Sequence, residues 1–139
     1  GGKEGFNIFL QVMPYIVAIL VAIGMFRMCG ALEYLSELLA PATLLIGMPP
    51  ETLPVALMKP LSGSGSLGLV AEVVQAAPDS FTAKVASTMF GSTDTTFYII
   101  ALYFGSVGIK KIRHAMVAGL IADAAGLLAA VWICHAVFK

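Results

Sequence analysis

Residues 5–26 read GFNIFLQVMPYIVAILVAIGMF, 22 positions without a charge, bracketed by Glu4 and Arg27. A helix rises about 1.5 Å per residue, so this run covers about 30 Å, the thickness of a bilayer's hydrocarbon core. It predicts a spanning helix, kinked at Pro14, and its length and lack of a cleavage site exclude a signal peptide. The rest of the chain has the same character: 59% of its 139 residues are hydrophobic, 12% are charged and mean hydropathy is +0.93. Soluble domains carry about 25% charged residues, so a watery surface cannot be covered here. The expected fold class is all-α: a polytopic transmembrane helical protein in the lipid bilayer, without a soluble enzyme domain. A formal net charge of zero and the absence of a basic tract exclude nucleic acid as a partner. Length predicts a single domain, 1–139. The opening Gly1-Gly2, without an initiator Met, predicts a fragment or a chain lacking one preceding helix.

After this run, Ala31–Leu45 places Leu32, Leu35, Leu38 and Leu39 on one helical face and Glu33, Ser36 and Glu37 on another. It is too short and too acidic to span, so an amphipathic helix lying at the interface is expected, broken by Pro41 and ended by Gly47 and Pro49-Pro50. At the other end, His114–Phe138 holds one charge, Asp123, and a seam of small residues: Ala115, Ala118, Ala122, Ala125 and Ala129, with Gly119 and Gly126 beside it. Such a seam admits another helix backbone, which predicts burial of this face against protein. The cluster Lys110, Lys111 and Arg113 predicts a cytoplasmic loop. If each segment between crosses once, Arg27 is also inside, both chain ends are outside, and Cys29 and Cys134 lie on opposite sides. The two thiols give neither a disulfide framework nor a metal site. The seven Met residues lack ligand spacing and read as packing. No cofactor is implied.

Two middle segments share a layout. Thr52–Leu61 is apolar, Ser62-Gly63-Ser64-Gly65-Ser66 interrupts it, and Leu67–Ala76 resumes; Ser80–Phe90 leads into Gly91-Ser92-Thr93-Asp94-Thr95-Thr96, and Phe97–Val107 follows. Pro78-Asp79-Ser80 between them reads as a turn with a helix N-cap. Each polar run falls near the middle of its segment, predicting two discontinuous helices. Irregular backbone at that depth persists only where protein buries it or a polar cavity is lined, and paired breaks point to a transporter's binding site. A helix starting near Leu67 would aim its positive N-terminus at the Ser62–Ser66 run. The candidate binding residues are Lys59, Ser62, Gly63, Ser64, Gly65, Ser66, Ser92, Thr93, Asp94, Thr95 and Thr96, with Asp123 and Glu72 as helix-packing or relay positions.

Plainer readings stand beside these. The Ser/Gly run also serves as a hinge or a close helix crossing. Asp94 caps the following helix or contacts ligand. Lys59 pairs with Asp94 or Glu72, or snorkels outward, and Asp123 takes a structural partner such as a Ser or Thr hydroxyl. His114 and His135 lie near the ends of the last helix, where an interfacial role is expected. A serine mechanism at Ser64 needs a histidine at its depth, and an aspartyl one needs paired carboxylates. No catalytic residue is assigned and an enzyme is not expected.

The sequence resembles the spore maturation protein B family, whose members carry the nucleoside recognition or Gate domain. The residues carrying the match are Gly1–Gly5, Phe26–Glu33, Lys59-Pro60-Leu61-Ser62-Gly63-Ser64-Gly65-Ser66-Leu67-Gly68, Gly91-Ser92-Thr93-Asp94-Thr95-Thr96 and Tyr103–Ile109. The pairing of Pro-Leu-Ser-Gly with Gly-Ser-Thr-Asp-Thr-Thr is specific, and the match covers nearly the whole chain. The resemblance implies a multi-pass protein of the bacterial cytoplasmic (inner) membrane, with one more helix ahead of Gly1. It implies a partner, a spore maturation protein A-like subunit or fused domain, and a link to dehydration of the spore core. It supplies no substrate. Two functions follow as expectations: a half-transporter whose midplane site for a small solute or ion is completed by a homologous half, or a non-transporting membrane scaffold or regulatory subunit. Homo-oligomerisation is a third way to complete either.

Overall fold

The computed structural model describes residues 2–138. Gly1, Lys139 and the side chains of Ile8, Gln11, Val12, Tyr15, Ile16, Ile19, Leu20, Ile23, Phe26, Arg27, Leu32, Glu33, Leu44 and Ser106 lie outside the described residues. Among the described residues every regular element is helical: α1 Gly2–Met28, α2 Ala31–Leu45, α3 Leu53–Met58, α4 Gly63–Ala76, α5 Phe81–Ser92, α6 Thr96–Ser106 and α7 Ala115–Phe138, with a 3-10 turn at Pro50–Thr52. One described helix, α7, is long and apolar enough to cross a membrane by length and composition. The 27-residue α1 continues through Pro14. Its outward positions include Phe6, Phe9, Val17, Val21 and Met25, and those of α7 include Val117, Ile121, Trp132, Ile133 and Val137. An apolar perimeter of this extent is foreign to water-soluble monomers.

Pro41 does not break α2, which runs on to Leu45. The ring removes one backbone donor, a loss a packed helix can absorb. The helix stops at Gly47, in the left-handed region with φ 72°. The Met48 N–H then reaches back to the Thr43 carbonyl at 2.9 Å, the six-to-one closure of a Schellman motif.

The central element is α3, six residues long, far below what an isolated helix needs. Packing holds it: Leu53, Val55, Ala56 and Met58 are all buried. Leu53 and Ala56 join Met48, Val85, Met89, Ala130, Val131 and Cys134, while Val55 meets Val70 and Ala86. Burial of each large side chain contributes about 1.5–3 kcal/mol, which outweighs the poor intrinsic stability of one and a half turns. Around α3 stand α2, α4 and α5, with α7 behind α5; α6 continues along α7 and carries α1 on its other side.

The two interrupted segments run differently. Glu51, just before α3, lines one groove with Glu72, Val73, Ala76, Ala77 and Ser80 at the far end of α4, and Val55 packs with Val70 part-way along. The chain therefore folds back at residues 59–62, making α3 and α4 a hairpin. By contrast, α5 and α6 progress along α7: Lys84 lies over the Phe138 ring, Thr93 meets Gly126, and Thr96 meets Gly119. A hydrogen-bonding contact of 2.7 Å between His135 Nε2 and the Gly47 carbonyl, and the Phe81–His135 ring contact, bring the start of α5 and the end of α2 to the C-terminal end of α7. Pro60, directly after the six-residue α3, ends that helix, so α3 and α4 lie side by side and not end to end.

The face of α7 turned inward also differs from expectation. Ala118, Ala122, Ala125 and Ala129 are exposed, whereas Asp123, Ala130, Val131 and Cys134 are buried. Small residues nearly encircle α7, so the single carboxylate decides which side faces protein.

Candidate functional site

The first interruption lies earlier than the Ser/Gly run. Pro60 lacks an N–H and cannot prolong α3. Leu61 and Ser62 close a turn on the Met58 carbonyl at 3.0 and 2.8 Å, and α4 starts at Gly63 instead of near Leu67. Ser62 is its N-cap: extended, with Oγ accepting from the Gly65 N–H at 3.0 Å and 3.4 Å from Ser64 Oγ. A hydroxyl that accepts from N3 satisfies one of the helix's free donors, which is why Gly63, Ser64, Gly65 and Ser66 are helical and not loop. Ser66 donates to the Gly63 carbonyl at 2.9 Å and is buried, while Ser64 is exposed.

The second interruption is likewise shorter than the motif. Gly91 and Ser92 finish α5, with Ser92 Oγ donating to the Met89 carbonyl at 3.0 Å. Thr93, Asp94 and Thr95 form the break and Thr96 opens α6. Asp94 is exposed, and its Oδ1 accepts from the Thr95 N–H at 2.8 Å, fixing the turn ahead of the helix.

The two breaks meet. The Phe97 N–H, a first-turn donor of α6 without an intrahelical acceptor, donates to the Pro60 carbonyl at 3.0 Å. That carbonyl is free because the chain has left helical geometry before it can be reached. Thr95 Oγ1 lies 3.0 Å from where a Cβ on Gly63 would sit. Each break thus satisfies a backbone group that the other leaves open, as irregular backbone away from water requires.

α7 closes the far side. Thr96 Oγ1 donates to Asp123 Oδ2 at 2.6 Å, and Asp123 is 7% exposed. One turn to either side a glycine makes a notch: a Cβ on Gly119 would stand 2.6 Å from Thr96 Cγ2, and one on Gly126 2.7 Å from Thr93 Cγ2. Thr93 Oγ1 is buried without a hydrogen-bond partner, the one such side-chain oxygen or nitrogen among the described residues.

The expected ion pairs of Lys59 do not form. Lys59 is 6% exposed, and its ammonium stands 4.0 Å from the centre of the Phe90 ring instead of beside Asp94 or Glu72. Glu72 is exposed in the groove with Glu51, away from both breaks. The structure therefore gathers Ser62, Gly63, Thr93, Thr95, Thr96 and Asp123, keeps Ser64 and Asp94 at the rim, and sets Glu72 apart. Sequence reasoning missed Pro60 as an acceptor, Phe90 as the lysine's partner, and the face of Gly119, Asp123 and Gly126. The last was signalled by spacings of four and three on α7. Among the described residues no three His, Cys, Asp or Glu side chains gather as metal ligands.

An all-helical chain whose paired interruptions close on each other is matched by the Gate family, described as nucleoside recognition, over residues 9–110. Spore maturation protein B of Bacillus subtilis (strain 168) is 47% identical over 139 residues, spanning 99% of this chain and 78% of that protein. The chain belongs to the Gate family, among the relatives of spore maturation protein B. No solved structure matches it.

Proposed function

We propose that the chain is one half of a transporter in the bacterial cytoplasmic membrane, completed by a homologous half of the spore maturation protein A type. In this reading the α3–α4 hairpin is re-entrant and α5–α6 is one discontinuous spanning helix. Their tips form a polar site at mid-depth for a small solute or ion, with Ser64 and Asp94 at its open rim. The supporting observation is the Phe97–Pro60 hydrogen bond, which joins the breaks where half-helix ends hold ligands in transporters. The α4 N-terminus and buried Lys59 suit a polar or anionic group, and the family's description makes nucleosides the first solutes to test. The kinship to a spore maturation protein supports a role for the assembled pair in spore maturation. The test is uptake by proteoliposomes holding both halves: Ser64→Ala and Asp94→Asn are expected to lower it by roughly tenfold each, and unchanged uptake in both would sink the reading.

A scaffold or regulatory subunit is the second reading. It draws on the tight fit of Thr95 against Gly63 and Thr96 against Gly119, and on the outward Ala118, Ala122, Ala125 and Ala129, which suit a partner helix or a second copy. A structure of the assembled pair with both breaks dry would decide for it.

A further inference from the structure

We propose that Asp123, Thr93 and the Ser92 carbonyl at the end of α5 form an all-oxygen site for a small monovalent cation of the sodium class, with Thr96 as a positioning residue. Asp123 is a carboxylate 7% exposed whose described hydrogen bond comes from one neutral hydroxyl, Thr96 Oγ1 at 2.6 Å. A single hydroxyl does not neutralise a buried anion; such a group needs a cation or a proton. Thr93 packs its Cγ2 against Gly126, one turn along α7 from Asp123, and its Oγ1 is buried and unpartnered, so both lone pairs of that oxygen are available. The Ser92 carbonyl oxygen points to the same notch, 3.4 Å from a Cβ on Gly126. As the last residue of α5, Ser92 presents the negative end of that helix.

The chemistry of these donors selects the ligand. They are oxygens, which suit hard cations over transition metals. One carboxylate supplies one negative charge, matching a monovalent ion; calcium takes about 6–8 oxygens, usually with more than one carboxylate. Half-helix C-termini and unwound carbonyls are the groups that hold sodium in discontinuous-helix transporters. Thr96 gives the site a consequence, because its hydroxyl holds Asp123 while its backbone opens α6 beside the joined breaks. Occupancy at Asp123 is thereby tied to the seat of α6. The inference rests on the transporter reading only for what the cation would do, and binding is measured without uptake.

The experiment is thermal unfolding of the full chain in nanodiscs, followed by the fluorescence of Trp132, in sodium chloride and in choline chloride at equal ionic strength. A ligand of the folded state raises the midpoint as its concentration passes its dissociation constant. Sodium is expected to give a saturable rise that choline does not, and Asp123→Asn to remove it. Thr93→Val keeps the shape and deletes an unpartnered hydroxyl, so it should fold as well as the parent while weakening the sodium response by roughly tenfold. A wild-type sodium response in Thr93→Val overturns the site. So does a midpoint that follows pH and is equal in the two salts, which assigns Asp123 to a proton. Solute uptake by the assembled pair without a sodium response removes this site and leaves the proposed function standing; a sodium response without uptake does the reverse.

Discussion

Two buried charges lack an opposite charge among the described residues, and they predict opposite outcomes. Lys59 has the Phe90 ring, a contact contributing about 2 kcal/mol when desolvated, against a desolvation penalty of several kcal/mol for an unpaired ion. The penalty is larger, so Lys59→Met, which keeps the stem and drops the charge, is expected to raise stability by about 1 kcal/mol or more. A lower unfolding midpoint for that variant would show that the ammonium has an anionic partner. Around Asp123 the balance lies in fit. Gly119→Ala sets a methyl 2.6 Å from Thr96 Cγ2 and should cost about 1–3 kcal/mol. Adding Thr96→Ser removes that methyl and keeps the hydroxyl on Asp123, so the double variant should regain more than half of the loss in denaturant unfolding. Equal midpoints for single and double variants would mean that the notch is not where α6 and α7 touch.

Two of the helices, α4 and α5, begin at serine caps. Ser62 and Ser80 each accept from the N–H three residues on, at 3.0 Å. Ser62→Ala is therefore expected to cost about 1 kcal/mol, within a range of about 0.5–2. Ser64→Ala, at an exposed position inside α4, should change stability by less than about 0.5 kcal/mol. If the two serines cost the same in urea unfolding, the cap does not govern where α4 starts. That distinction also marks what was legible in the sequence. Helices at 2–28, 31–45 and 115–138 follow from long apolar or amphipathic runs, whose periodicity survives any tertiary context. The serine at the turn before α5 was readable too, since Pro78-Asp79-Ser80 permits little else. The interruptions were visible as polar runs but displaced by a few residues, because Ser and Gly are tolerated in a first turn once Ser62 has capped it. Which face of α7 turns inward was signalled only by the carboxylate and its spacing from Gly119 and Gly126: alanines and glycines otherwise offer two similar stripes, and the partners of that face, Thr93 and Thr96, lie about thirty residues earlier in the chain.

Across the whole molecule, the course of the chain through a bilayer follows from the hairpin. Glu51 shares a groove with Glu72, Ala77 and Ser80, so the residues before α3 and after α4 belong to one face. The His135–Gly47 contact and the Phe81–His135 rings add the ends of α2 and α7 to that face. The exposed Lys110, Lys111 and Arg113 follow α6 and precede α7, at the opposite end of α7 from His135. Basic loops stay in the cytoplasm, so residues 110–113 are expected inside, with Glu51, Asp79 and His135 outside. Single cysteines at Glu51, Asp79 and Lys111, in a chain with Cys29 and Cys134 replaced by alanine, test this with a membrane-impermeant maleimide. Glu51→Cys and Asp79→Cys should label in intact spheroplasts, and Lys111→Cys only in inverted vesicles. Labelling of Glu51→Cys and Asp79→Cys from opposite sides would mean that α3 and α4 together cross the membrane. Their interruption would then be a hinge within a spanning helix, and the tip where Pro60 receives the Phe97 N–H would lose its place at mid-depth.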